Sequence, residues 1–121
     1  MNPTENTHCM QIAEKEPSLC LDFTGSDGRT HGFPYAQMLN YLLEQNPDRE
    51  DNDKAPPDRL SIWFSTHDVL ILGHRLNLLR AQLRVGLVVA VSAMEARYSH
   101  LEIGKPFVTE IIVTEATQNK S

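Results

Sequence analysis

Three groups of side chains in this sequence have types and spacings that could do chemistry. His67, Asp68 and His74 form the first, Asp22, Asp27 and His31 the second, and Arg75, Arg80 and Arg84 the third. Trp63, the only tryptophan, stands just before the first group. A histidine within hydrogen-bond reach of an aspartate can serve as a general base. Histidines also bind metals, but a zinc site needs three or four converging ligands. Val69–Leu72 separates His67 from His74, and as an extended strand at about 3.3 Å per residue it holds them roughly 20 Å apart. Sharing an ion would then require ligands from another segment.

Signatures that would supply a nucleophile or a phosphate cradle are missing: G-x-S-x-G, the P-loop pattern and G-x-G-x-x-G do not occur. Gly25-Ser26-Asp27-Gly28 reads as a hairpin turn, because Asp-Gly tolerates the positive φ that such turns need. The acidic run 46–58 (NPDREDNDKAPPD) fails as a calcium loop. Counted from Asp48 or Asp51, it has no glycine at the sixth position and no glutamate at the twelfth. Cys9 and Cys20 match no metal or redox spacing. Cys20 reads as a small core residue in a strand and Cys9 as a tail thiol. No cofactor and no metal is called for, and these readings count against an enzyme. One enzymatic alternative stays open: a His/Asp site between two hairpins, with at least two of His31, His67 and Asp22 meeting in a concave pocket.

The arginines and the tryptophan point to binding instead. In a helix from about His74 to Val85, Arg80, Arg84 and Asn77 lie on one face, away from Leu76, Leu79 and Leu83. That face could take phosphate, nucleic acid or an acidic partner. Arg75 falls only about 40° from Leu79 at 100° per residue, so it must snorkel or pair with a buried acid such as Asp22 or Asp68. Trp63 faces opposite Leu60, Ile62 and Phe64, which places it on the other side of its sheet. With Val88, Ile112 or Tyr41 nearby, it would form an apolar patch suited to an interface. Ligand or partner binding is therefore assigned to Trp63, Arg75, Arg80 and Arg84.

The elements that must position these residues follow from periodicity. Leu19–Thr24 alternates apolar and polar and reads as a half-buried strand, with Arg29–Phe33 returning after the turn. Pro34 suits the first position of a helix, and Tyr35, Met38, Leu39 and Leu42 recur at helical spacing, so a helix is expected up to about Gln45. Leu60, Ile62 and Phe64 alternate in the next strand. Thr66-His67-Asp68 is the expected turn, and the continuous apolar run Val69–Leu72 reads as a strand covered on both faces. The helix from His74 ends at Gly86, a natural left-handed terminator. Leu87–Val91 is β-branched and reads as a central strand. Ala96, Arg97 and Tyr98 could extend it, and Phe107–Thr114 is the last strand. Strand, turn, strand, helix thus occurs twice. The expected fold is α+β: two ββα units followed by a C-terminal strand pair, a mainly antiparallel sheet with helices packed on it.

Residues 1–17 read as a mobile N-terminal segment with a short strand near Met10–Ala13. Residues 18–115 form one domain with the acidic, proline-rich loop 46–58 inside it, and 116–121 form a frayed tail. No apolar run approaches the roughly 18 residues that span a bilayer. The start lacks a basic and an apolar signal region, so a cytosolic protein is expected. The formal net charge of −5 counts against a nucleic-acid partner. Its distribution is uneven: residues 1–58 hold 11 acids against 4 bases, and residues 59–121 hold 5 against 7. The expected function is a small binding module that forms a homodimer and takes a second protein or a small ligand, with no membrane; phosphate or nucleic-acid binding through the Arg-bearing second helix is the alternative, which the acidic charge disfavours.

Overall fold

Period-two alternation runs through most of the chain from Cys20 onward, and the fold is built from it. The computed structural model describes residues 9–95 and 104–116. Strands β1 (Met10–Ile12), β2 (Cys20–Thr24) and β3 (Thr30–Pro34) are followed by a 3-10 turn at Tyr35–Gln37 and by β4 (Met38–Gln45). A second 3-10 turn, Pro47–Glu50, leads to β5 (Asp58–Phe64), β6 (His67–His74), helix α1 (Leu76–Arg84), β7 (Val88–Ser92) and β8 (Phe107–Glu115). Two four-stranded sheets result, ordered β1-β7-β2-β3 and β4-β5-β6-β8. Neighbours are antiparallel except β2 and β7, which run parallel.

The sheets share one core. Leu21, Phe23 and Phe33 enter it from the first sheet, and Leu60, Ile62, Phe64, Val69 and Ile71 from the second. Phe33 and Phe64 stack with ring centroids 4.3 Å apart, and Phe23 meets Phe64 edge-on at 6.1 Å. Helix α1 adds Leu76, Leu79 and Leu83, all buried at helical spacing. Burying each such side chain is worth about 1.5–3 kcal/mol relative to leaving it in water. Asp58 on β5 fixes the helix start, its carboxylate accepting from the Leu76 backbone N–H at 3.0 Å. Among the described residues, no helix is long and apolar enough to cross a membrane.

The α+β expectation of two ββα units is overturned: the protein is mostly β, with two sheets and, among the described residues, a single α-helix. The expected helix after Pro34 is one 3-10 turn and then an edge strand. A β-bulge explains the misleading spacing. The β4–β5 register shifts between Met38 and Asn40, so Leu39 is an extra residue. Met38 and Tyr41, three apart in sequence, then face the same core, followed by Leu43 at strand spacing. The bulge merged two strand alternations into an apparent helical one. β4 thereby leaves the first sheet and opens the second.

Other elements moved less. The β2–β3 hairpin forms as read, with Gly28 at φ 85° in its turn. The β5–β6 turn is Ser65–Thr66, one residue earlier than expected, so His67 and Asp68 lie in β6 itself. β7 is central, between β1 and β2, but β8 joins the other sheet; the expected C-terminal strand pair does not form. Met10–Ile12 adds as an edge strand against β7. Loop 46–58 folds on the buried Asn46, whose amide donates to Pro56 C=O at 2.8 Å and whose oxygen accepts from Asp48 N–H at 3.2 Å. The two cysteines exchange their expected roles. Cys20 alternates with Leu21 and points outward, whereas Cys9 is buried beside Val108, whose N–H it accepts at 3.3 Å. The N-terminal residues 1–8, the possible strand extension at Ala96–Tyr98 and the tail 117–121 lie outside the described residues.

Candidate functional site

Side chains directly opposite each other on paired strands share a face, so the pairings define what each sheet shows to its surroundings. On the second sheet the inward set is Leu60, Ile62, Phe64, Val69 and Ile71. The outward set is read from the intervening pairs. Leu42 stands opposite Ser61, Ser61 opposite Leu70, and Leu70 opposite Ile112. The flanking rows are Asn40–Trp63–Asp68–Thr114 and Glu44–Arg59–Leu72–Glu110. Leu42 is 46 % exposed and Ile112 39 %. Trp63, Leu70 and Leu72 are half-buried. A shallow depression of about 280 Å³ lies among Trp63, Asp68, Leu70, Ile112 and Thr114. The charged rim is tied down on one side, where Arg59 Nε donates to Glu44 at 2.9 Å. The face thus has an apolar centre with polar and charged margins.

Trp63 therefore stands where the alternation puts it, on the face away from the core. Its expected company differs: Ile112 is there, but Tyr41 shares the inward face with Ile62, and Val88 is in the core. The arginines do not join it. Arg75 precedes α1 in a left-handed conformation, φ 55°, and its Nε donates to Lys105 C=O at 2.6 Å. Neither Asp22 nor Asp68 is its acid; Asp22 is exposed on the first sheet and Asp68 lies on the outer face of the second. Arg80 is half-buried and Arg84 exposed, and among the described residues neither forms an ion pair.

A second concave place lies where the β2–β3 hairpin approaches β8. It is a cleft of about 240 Å³ lined by Asp27, Arg29, His31 and Ile111–Val113. His31 is opposite Phe23 and His67 has the parity of Val69, so both imidazoles face inward at this end. Their ring centroids are 6.3 Å apart, and His67 lies 5.4 Å from Phe33. Two of the three groups weighed for a His/Asp site thus converge. Asp22 does not, because it sits on the opposite face of β2, and among the described residues no His–Asp hydrogen bond forms. His67 Nδ1 instead meets its neighbour Thr66 Oγ1 at 2.9 Å. Among the described residues, no group of three or more His, Cys, Asp or Glu is placed to hold a metal ion.

A third cluster escaped the sequence reading. His74 closes β6 beside Phe107, ring centroids 6.2 Å apart, with Arg49, Arg75 and Asp58 around it. Burial holds its pKa below the usual imidazole value; Arg75 and Arg49 add to this and Asp58 opposes them. Arg49 comes from the acidic loop, so no local spacing announced the meeting. No family model, no curated protein and no solved structure matches the chain.

Proposed function

We propose that the protein is a self-associating binding module, a twofold dimer formed through the outer face of the second sheet. One observation carries this reading. β6 has the sequence of a strand covered on both sides, and within the described chain only one side is covered. Val69 and Ile71 are buried against the core, while Leu70 and Leu72 face outward beside Trp63 and Ile112. A contiguous apolar patch rimmed by polar residues is a common mark of an interaction site. A sheet surface meeting its own copy is the simplest closed arrangement, because each residue's environment is repeated by symmetry.

Size sets the strength. Four strands about 4.8 Å apart and some seven residues long at about 3.3 Å give a face of roughly 400 Å² in projection. Two such faces total about 800 Å², below the roughly 1,200 Å² of standard specific interfaces and in the range of weak, transient association, so the dimer proposed is a weak one that dissociates in the micromolar range. The cytosol is the proposed compartment; Cys9 and Cys20 are not joined in a disulfide, as suits reducing surroundings. Sedimentation velocity from about 1 to 300 µM tests the dimer. A shift from monomer to dimer mass that Leu70→Lys abolishes is expected. A monomer throughout this range would refute it.

A further inference from the structure

Two charged side chains on the outer face of the second sheet differ in how well they are satisfied. Asp68 is half-buried in the depression beside Trp63, and among the described residues its carboxylate has no hydrogen bond or ion pair. An unpartnered carboxylate is tolerable in water and costly once an association face covers it. Arg59 is the one cation in the three outward rows of this sheet. Its Nε and Nη2 both donate to Glu44 Oε2, and the side chain stays partly exposed. A guanidinium carries five N–H groups in one plane. Beyond the two spent on Glu44, the rest have no partner among the described residues.

Arg59 cannot answer Asp68 within one chain. Arg59 pairs with Leu72, and Trp63 pairs with Asp68. Four residues of extended strand, about 13 Å, separate these rows, and Glu44 holds the guanidinium at its own row. A second copy laid on the face brings the two together, and aligned strands allow two twofold arrangements. With the axis along the strands, each row meets the same row of the partner. The two Asp68 carboxylates then approach each other, Glu44 lies over the partner's Glu110, and no cation comes near Asp68. With the axis across the strands, at the level of Ser61 and Leu70, the rows exchange. Trp63 and Asp68 then lie under the partner's row of Arg59 and Leu72, and Leu70 meets the partner's Leu70. Packed sheets stand about 10 Å apart, a gap that an arginine meeting an aspartate spans.

We infer that the partner's Arg59 enters the depression beside Trp63 and Asp68, in a dimer whose twofold axis crosses the strands of the second sheet. The inference rests on the proposed dimer and specifies which of its two arrangements forms. Each Arg59 keeps Glu44 of its own chain and donates to the partner's Asp68. Because its hydrogen bonds lie in the guanidinium plane, the flat face is left to stack on the partner's Trp63. Symmetry makes each contact twice. The depression is thus completed only by a second copy, and the charges reject the arrangement that sets acid against acid.

Sedimentation equilibrium of two variants, alone and mixed, tests the pairing. Asp68→Lys sets a lysine against the partner's Arg59, and Arg59→Glu sets a glutamate against the partner's Asp68. Each variant alone should dimerise about tenfold more weakly than the natural protein. Their equimolar mixture should form heterodimers within about threefold of the natural constant, because each contact then joins opposite charges. Thr114→Lys, at an exposed position of β8, gives a second reading that leaves Asp68 and Arg59 untouched. The crossing axis puts it over the partner's Glu110, so the dimer should tighten about threefold, and Glu110→Gln in the same chain should cancel the gain. With the axis along the strands it would face the partner's Asn40, and no gain would appear. A mixture of folded variants no tighter than either alone would overturn the pairing, as would a Thr114→Lys chain that dimerises no better than the natural protein. Either result in a natural protein that does dimerise leaves the dimer standing, whereas a natural protein that stays monomeric ends both readings.

Discussion

The two sheets share a core but turn very different surfaces outward. On the first sheet the outward residues of β2 and β3 are Cys20, Asp22, Thr24, Thr30, Gly32 and Pro34. Thr24 and Thr30 join hydroxyls across the pair at 2.8 Å, as a solvated sheet face allows. On the second sheet the same geometric positions carry Leu42, Trp63, Leu70, Leu72 and Ile112, set among Asn40, Ser61, Asp68 and Thr114 and bordered by Glu44, Arg59 and Glu110. The difference lies in side-chain chemistry, and it is the ground for proposing that the second face is the one that associates. It also shows why inward burial cannot identify function in this chain: the cores are continuous, and only the outer rows distinguish one sheet from the other.

Substituting glycine in each sheet gives the largest expected contrast. A Cβ at Gly73 would lie 2.1 Å from the Phe107 carbonyl, a backbone atom that cannot step aside. Gly73→Ala should cost about 3 kcal/mol or more, by overpacking at a bulged register. A Cβ at Gly32 would meet Asp22 Oδ1 at 2.7 Å, the mobile end of an exposed side chain. Gly32→Ala should cost less than about 1 kcal/mol. Chemical denaturation of the two variants, at a dilution where the protein is monomeric, measures the contrast; similar losses would mean that the two sheets are equally tolerant.

Next comes association. Trp63→Ala should weaken the dimer by about 2 kcal/mol, roughly thirtyfold in dissociation constant. Asp22→Ala, on the solvated face, should leave it unchanged within about twofold. Sedimentation equilibrium reads both. Equal effects from the two faces would erase the distinction between them.

Smaller effects come from proton linkage, one group near each sheet. The Tyr35 hydroxyl donates to Val88 C=O on the first sheet at 2.9 Å. Burial pushes its pKa up to about 12. The folded state then keeps a proton that the unfolded state loses above pH 10. Its stabilising contribution is complete below about pH 10 and falls away as pH rises toward 12. His74, on the second sheet, is shifted the other way. Its contribution is complete above about pH 6.5 and declines below it, because the unfolded imidazole takes up a proton more readily. Melting temperatures against pH should show both flanks, the alkaline one reduced in Tyr35→Phe and the acidic one in His74→Gln.

Legibility in the sequence followed locality. Alternation within Leu60–Phe64 sufficed to put Trp63 on the outer face, and the Asp-Gly turn sufficed for the first hairpin. The double-sided apolar character of Val69–Leu72 was also plain, though not that one side would lack cover. What failed depended on partners distant in sequence. The bulge at Leu39 disguised β4 as a helix, and only pairing with β5 reveals its register. Arg75 looked like a helix residue because its left-handed φ has no sequence signal in a non-glycine residue. The convergence of His31 with His67 was open in the sequence as one alternative, but that it comes from hairpins in two different sheets is something no spacing encodes.

Because Trp63 is the only tryptophan, its fluorescence reports on the outer face of the second sheet without any label. The direct test is its emission maximum and acrylamide quenching, followed by dilution from about 300 to 1 µM beside the same series for Leu70→Lys. Burial in a dimer predicts a red shift and rising quenching on dilution in the natural protein, with the variant already at the dilute limit. Emission and quenching that stay constant, and coincide with those of the variant, would contradict the covered face.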